Sequence, residues 1–277
     1  MSEIFGFGAF SPREIAAQVE TIGVTKARLP LLSMLMLSVL AGAFIGLGAL
    51  YFVIVKSDPS LGFAARQVLG GVAFSLGLIL VVIAGAELFT GNNLLAMAWA
   101  DGKISTLELL RNWAVVCGGN FIGAVGLAVL VFLSRHPDMN NGAIAQEYLR
   151  IAEVKAAMPF WTALFKGILC NALVCMAIWM ALAGRSVVDK VVAIVFPISA
   201  FVAAGFEHSV ANMYFFPLAM LLQTLDNIGA GGNTITWVGF FGNLVPVILG
   251  NIIGGSVLVA LVYHVIYRRA PDKDPNA

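Results

Sequence analysis

Six long apolar stretches follow one another along this chain, divided by short polar segments that hold most of its charge. They cover residues 29–55, 67–99, 112–134, 160–184, 191–225 and 241–267. A helix needs about 20 apolar residues to cross the hydrocarbon of a bilayer. The pattern therefore predicts six transmembrane helices. The first stretch carries no charge, Glu87 interrupts the second, and Lys166 sits near the start of the fourth. Glu207 and His208 break the fifth. The Gly- and Asn-rich stretch 227–233 reads as a loop. Ahead of the first stretch, residues 10–27 predict a surface helix. Ser11 is its N-cap, Pro12 its first helical residue and Glu14 the partner that completes a capping box. Ile15, Val19 and Ile22 then recur at helical spacing, so the helix is expected at the membrane surface.

Composition agrees with residence in lipid. The chain is 60% hydrophobic and 11% charged, with mean hydropathy +0.93. Soluble domains carry about 25% charged residues. The formal net charge of +1 gives no footing for nucleic acid. Cys117, Cys170 and Cys175 lie in apolar runs without metal-ligand spacing, so they read as buried hydrophobes, with no cofactor or metal expected. The first 28 residues lack the basic-then-apolar start of a secretory leader. Lys and Arg place ten charges on the side of both termini (Arg13, Lys26, Arg28, Lys103, Arg111, Arg185, Lys190, Arg268, Arg269, Lys273). Five lie on the other side (Lys56, Arg66, Arg135, Arg150, Lys155). The expected organisation is a cytoplasmic surface helix at 1–28, a channel domain at 29–267 and a cytoplasmic tail at 268–277, in the inner (plasma) membrane.

The second and fifth stretches are too long for straight spans. They share a pattern: Ala86-Glu87-Leu88-Phe89-Thr90-Gly91-Asn92 against Phe206-Glu207-His208-Ser209-Val210-Ala211-Asn212. The third and sixth share Gly119-Asn120-Phe121-Ile122-Gly123 and Gly250-Asn251-Ile252-Ile253-Gly254. Both pairs fall in the same order in each half. The fold class expected is an all-α membrane protein of two inverted three-helix repeats, with helices two and five interrupted. An interruption inside lipid frees backbone groups that only protein or a polar cavity can satisfy. Helix N-termini beside it offer partial positive charge to an anion. Glu87 and Glu207 are expected to accept hydrogen bonds from the freed N–H groups, with Thr90, Asn92 and Asn212 in the same work. The small-xxx-small pairs Gly42/Gly46, Gly119/Gly123 and Gly250/Gly254 are expected to bring helices close.

An ionisable residue in mid-membrane is a functional candidate by default. An unperturbed histidine gains or loses a proton near physiological pH, which singles out His208. It is placed to attract an anion or to lend it a proton; capping backbone groups as a neutral ring is the alternative. His136 and His264 read as incidental. Lys166 either snorkels to the headgroups or, with Lys155 and Arg150, gathers anions at a mouth. Phe74, Leu78, Leu88 and Phe201 flank the breaks and could narrow a path, where a bare anion pays heavily to lose water.

These motifs resemble the formate–nitrite transporter family over nearly the whole chain. Beyond the break motifs, the likeness includes Lys166-Gly167-Ile168-Leu169-Cys170-Asn171, Leu173-Val174-Cys175, Asn243-Leu244-Val245-Pro246 and Gly250 to Gly255. The resemblance implies an aquaporin-like protomer in a homopentamer, with one pore per subunit. It implies a loop carrying Leu88, Phe89 and Thr90, and a central His208 between slits formed by Phe74, Leu78, Leu88 and Phe201. Thr90, Asn171 and Asn251 become polar groups along the path, while Lys155 and Lys166 shape the field. The anion expected is formate, with nitrite and hydrosulfide as alternatives and protons as a possible co-substrate. A neutral-solute channel lacks its Asn-Pro-Ala motifs here. A hydrolase built on Ser209 and His208 fails because adjacent helical residues do not face each other, so no enzyme activity is expected.

Overall fold

The computed structural model describes residues 8–225 and 235–268. The stretch 227–233 read as a loop, and the tail from 269 on, lie outside the described residues. The described chain is helical, with one isolated bridge between Ala9 and Gly184. Its helices are α1 (Pro12–Ala27), α2 (Leu31–Lys56), α3 (Phe63–Ala84), α4 (Ala96–Ala100), α5 (Thr106–Leu133) and α6 (Ala143–Ala156). Then come α7 (Phe160–Ala183), α8 (Val187–Ala203), α9 (Ser209–Leu225), α10 (Trp237–Ile252) and α11 (Val262–Tyr267). A 3-10 turn covers Gly91–Leu95, and a π-helical stretch, Ile253–Leu261, joins α10 to α11.

Among the described residues, five helices are long and apolar enough to cross a membrane: α2, α3, α5, α7 and the composite Trp237–Tyr267. The predicted fifth span is instead two 17-residue helices, α8 and α9. The second is likewise interrupted: α3 runs 22 residues to Ala84, and helical geometry resumes beyond the break as the 3-10 turn Gly91–Leu95 and the short α4. The starts of α3, α5, α8 and α10 fall earlier than hydropathy places them. α5 begins at Thr106 because Ser105 and Glu108 form a capping box ahead of the apolar run. The α1 cap is as expected, with Ser11, Pro12 and Glu14 in their assigned positions.

The two halves correspond element by element. α2 packs on α3 and α5, as α7 packs on α8 and α10. Glycines set the closeness. A Cβ on Gly42 would strike the backbone of Asn120, one on Gly123 the backbone of Val39, and one on Gly254 that of Ile168. The small-residue pairs are therefore spent on contacts within the chain. The repeat is longer than three helices, since amphipathic α1 and α6 each stand at the head of a half. α5 starts beside α1, where Arg28 pairs with Glu108, and ends beside the turn leading to α6. α1 and α6 thus sit at opposite ends of the bundle.

Candidate functional site

Each break opens the same way. α3 ends at Gly85 and α8 is followed by Gly205, with φ of +81° and +70°. Both are left-handed positions that suit glycine. The next N–H turns back, from Ala86 to the Val81 carbonyl at 2.9 Å and from Phe206 to the Phe201 carbonyl at 3.0 Å. One residue on, Glu87 N–H donates to Leu37 O at 3.2 Å and Glu207 N–H to Lys166 O at 3.3 Å.

Two asparagines then receive what remains. Asn120 Oδ1 accepts from Phe89 N–H at 2.9 Å, while its Nδ2 donates to Ser38 O and Glu87 O at 2.8 and 2.9 Å. In the other half Asn251 Oδ1 accepts from Ser209 N–H at 3.0 Å, and its Nδ2 donates to Gly167 O and Glu207 O at 2.9 and 3.0 Å. Asn120 and Asn251 are both fully buried. They settle backbone groups that would otherwise each cost several kcal/mol in hydrocarbon.

The buried glutamates do something other than expected. Their side chains do not take the freed N–H groups; they hold lysines. Glu87 Oε1 pairs with Lys26 Nζ at 2.8 Å, and Glu207 Oε1 with Lys155 Nζ at 2.8 Å. Asn92 Nδ2 donates to Glu87 Oε2 at 2.7 Å and to Asn112 Oδ1 at 3.0 Å, and Asn112 Nδ2 reaches Lys26 O at 3.1 Å. Asn212 Nδ2 donates to Glu207 Oε2 at 2.8 Å and to Asn243 Oδ1 at 2.7 Å, and Asn243 Nδ2 reaches Lys155 O at 3.1 Å. Lys26 lies on α1 and Lys155 on α6, so each amphipathic helix delivers one cation to the break of its own half. α1 is itself clamped by Glu20, which is buried and pairs with Lys103 at 2.5 Å and Arg268 at 2.7 Å. Lys103 lies in the α4–α5 loop, and its pKa is raised by the bond to Glu20. Glu20, Asp101 and His264 have metal-like spacing, yet both carboxylates are already engaged by Lys103.

The breaks keep the same Glu and Asn but differ between them, and directly after the glutamate Leu88 stands in one half where His208 stands in the other. His208 Nδ1 accepts from Ala211 N–H at 3.2 Å, and its Nε2 lies 3.1 Å from Thr90 Oγ1. An accepting Nδ1 fixes the neutral tautomer with its proton on Nε2, an assignment that follows from these partners. Nε2–H then donates to Thr90 Oγ1, leaving the threonine hydroxyl proton free. Phe201 stacks on the imidazole at 5.9 Å between centroids, Phe74 meets it edge-on at 6.4 Å, and the two phenyl rings are 5.8 Å apart.

Two cavities run in from opposite ends. That on the α1 side, about 280 Å³, reaches Glu87 and Leu88 and is bordered by Lys26, Val81 and Asn92. The one on the α6 side, about 650 Å³, reaches His208, Phe74 and Phe201 and is lined by Lys155, Lys166 and Glu207. Lys166 therefore faces a cavity. Leu78, Phe89, Thr90, Asn171, Asn212 and Asn251 border neither cavity and are buried. Asn171 ties the two breaks together. Its Nδ2 lies 3.1 Å from Thr90 O, 2.7 Å from Asn93 Oδ1 and 2.7 Å from Asn251 O.

Sequence reasoning passed over Lys26, Asn93, Asn112, Asn120 and Asn243 as site residues. A signal was present for four of them. Asn112 and Asn120 repeat the eight-residue spacing of Asn243 and Asn251, and Lys26-Ala27 closes α1 as Lys155-Ala156 closes α6. Asn93 has no counterpart motif.

Apolar spans, paired breaks and cavities entering from both ends define an all-helical, multi-pass membrane protein of the channel or transporter class. A family model described as "Formate/nitrite transporter" matches residues 13–265. The "Formate channel FocA" of Escherichia coli (strain K12) is 37% identical, over 96% of this chain and 97% of the relative. The "Uncharacterized transporter YrhG" of Bacillus subtilis (strain 168) is 40% identical, over 93% and 94%. A solved structure described as "Pentameric formate channel with formate bound" superposes with TM-score 0.80 at 38% identity, covering 86% of this chain and 97% of that one. This chain belongs to the formate/nitrite transporter family.

Proposed function

We propose that the protein passes small monovalent anions, formate first, between the α1-side and α6-side cavities past Leu88, Thr90, His208 and the Phe74–Phe201 pair. The observation that carries this reading is the 3.1 Å contact between His208 Nε2 and Thr90 Oγ1, which joins the two breaks where the cavities approach each other. An anion entering this apolar constriction sheds water. The threonine hydroxyl proton left free by that contact is a donor that replaces some of it.

Proton linkage belongs to the same proposal. A protonated His208 hands its Nε2 proton to formate, giving neutral formic acid and neutral imidazole. The acid crosses the apolar rings at lower cost than the ion. Forming imidazolium puts a proton on Nδ1, so the bond from Ala211 N–H must let go first. The Glu–Lys–Asn groups hold each break in shape, and Lys155 and Lys166 set the field of the α6-side mouth. The assembly proposed is a homopentamer with one pore per subunit, in the plasma membrane with both termini in the cytoplasm. Support comes from relatives named as formate channels and from a structural neighbour described as pentameric.

Anion uptake into proteoliposomes at several pH values tests this. Formate is expected to move faster as pH falls, and His208→Asn to slow it and flatten the pH response. Unchanged rate and pH response in that variant would remove the histidine from the mechanism. Competition among formate, nitrite and hydrosulfide then orders the substrates.

A further inference from the structure

The two cavities differ in charge as well as size. On the α1 side the lining charges are one pair, Lys26 with Glu87. On the α6 side Lys56, Arg66, Arg150, Lys155 and Lys166 line the wall against one lining carboxylate, Glu207. Glu207 is taken by Lys155, and Arg150 is held twice by Glu147 at 2.7 and 2.5 Å. Three cations remain without an ion-pair partner among the described residues. Lys56 rests on the neutral amide of Gln67 and the ring of Phe52. Arg66 spends one terminal nitrogen on the carbonyls of Leu61 and Pro59, while its buried Nε has no partner. The Lys166 ammonium has neither a hydrogen bond nor an ion pair among the described residues.

Three like charges around one cavity repel each other until an anion joins them. A volume of about 650 Å³ far exceeds the needs of a one-carbon anion. It lies in the range of about 300–1,000 Å³ usual for small-molecule sites. We infer that the α6-side cavity is a docking site for small dicarboxylates of malonate size, which bridge Arg66 and Lys166 and plug the pore from that side. One carboxylate is assigned to the Arg66 guanidinium where it lines the cavity, and the other to the Lys166 ammonium. Passage is barred, because a dianion would have to strip two charged ends of water to enter between Phe74 and Phe201. Docking stands on the cavity alone; plugging rests on the conduit reading above.

Calorimetry of malonate with the full-length protein in detergent tests docking. Saturable binding is expected, weaker by about tenfold in Lys166→Gln and in Arg66→Gln, as for loss of one charged contact. Lys166→Arg keeps the charge and is expected to bind, which separates charge loss from misfolding. Arg185→Gln, at the opposite end, removes one charge without effect. Acetate and inorganic phosphate are expected to bind about tenfold or more weakly than malonate. In a planar bilayer, malonate on the α6 side alone blocks formate current, and Lys166→Gln relieves the block. No saturable binding, equal affinity in both Gln variants and wild type, or acetate or phosphate binding as tightly as malonate overturns the inference. Malonate binding with the expected variant pattern but without formate current leaves docking intact and sinks only the conduit reading.

Discussion

The two breaks share a scaffold and divide the chemistry. Lys26, Glu87, Asn92, Asn112 and Asn120 in one half repeat as Lys155, Glu207, Asn212, Asn243 and Asn251 in the other, bond for bond in most contacts. Leu88 and His208 do not match. The repeated polar frame is thus what it takes to keep a chain open inside lipid, and His208 and Thr90, whose counterparts are Leu88 and Val210, are the candidates for transport. A second difference is local. Lys26 also donates to Asn92 Oδ1 at 3.0 Å, whereas Asn212 Oδ1 is buried without a partner.

Deleting a carboxylate is the severest way to break this equivalence. Glu87→Ala and Glu207→Ala each strand a lysine, and loss of one member of a buried pair costs about 3–5 kcal/mol. The second is expected to cost more, because the Lys155 side chain is 14% exposed and that of Lys26 is 27%. Thermal unfolding of the two variants in detergent checks the order, and a reversed order breaks the symmetry argument.

Next in size, His208→Leu makes the second break resemble the first. Formate flux is expected to fall at least about a hundredfold, as for loss of a positioned acid–base group, and its pH dependence to vanish. Leu88→His is expected to leave the pH profile centred on His208. A shifted profile in that variant, measured in proteoliposomes, would make the breaks interchangeable.

The glycines sharpen the comparison. A Cβ at Gly85 or Gly205 meets nothing within 4 Å, so Ala at either site costs backbone strain alone, about 1–2 kcal/mol. Equal losses in thermal stability are expected, and a large inequality would mean that one turn carries additional load. Smallest, Thr90→Val removes the hydroxyl that meets His208. The loss of one hydrogen bond, about 1 kcal/mol, is expected to slow formate flux roughly fivefold and leave folding intact by size-exclusion profile.

Much of this was legible in the chain. Glu87 and Glu207 stand out because charge within an apolar run is rare, and the Asn five residues after each marks the repeat. The inverted arrangement follows from three spans per half, and the α1 capping box from local spacing. What the chain did not display was the partner of each glutamate. Lys26 precedes Glu87 by most of two helices, and Lys155 precedes Glu207 likewise, so hydropathy assigns each lysine to a surface segment. Nor did it display that Asn171, expected as a polar group along the path, bonds to both breaks.

Sequence by itself determined the class: apolar length sets the number of candidate spans, and a polar residue within one must be explained by bonding or function. Gly85 and Gly205, which reach positive φ without a Cβ to clash, end α3 and α8, although hydropathy carries both spans past them. Tertiary structure alone decided which groups neutralise the buried carboxylates, which ring nitrogen of His208 holds the proton, and which cations border a cavity. Those outcomes depend on side chains from distant helices meeting within about 3 Å, a distance that helix packing sets and residue order does not record.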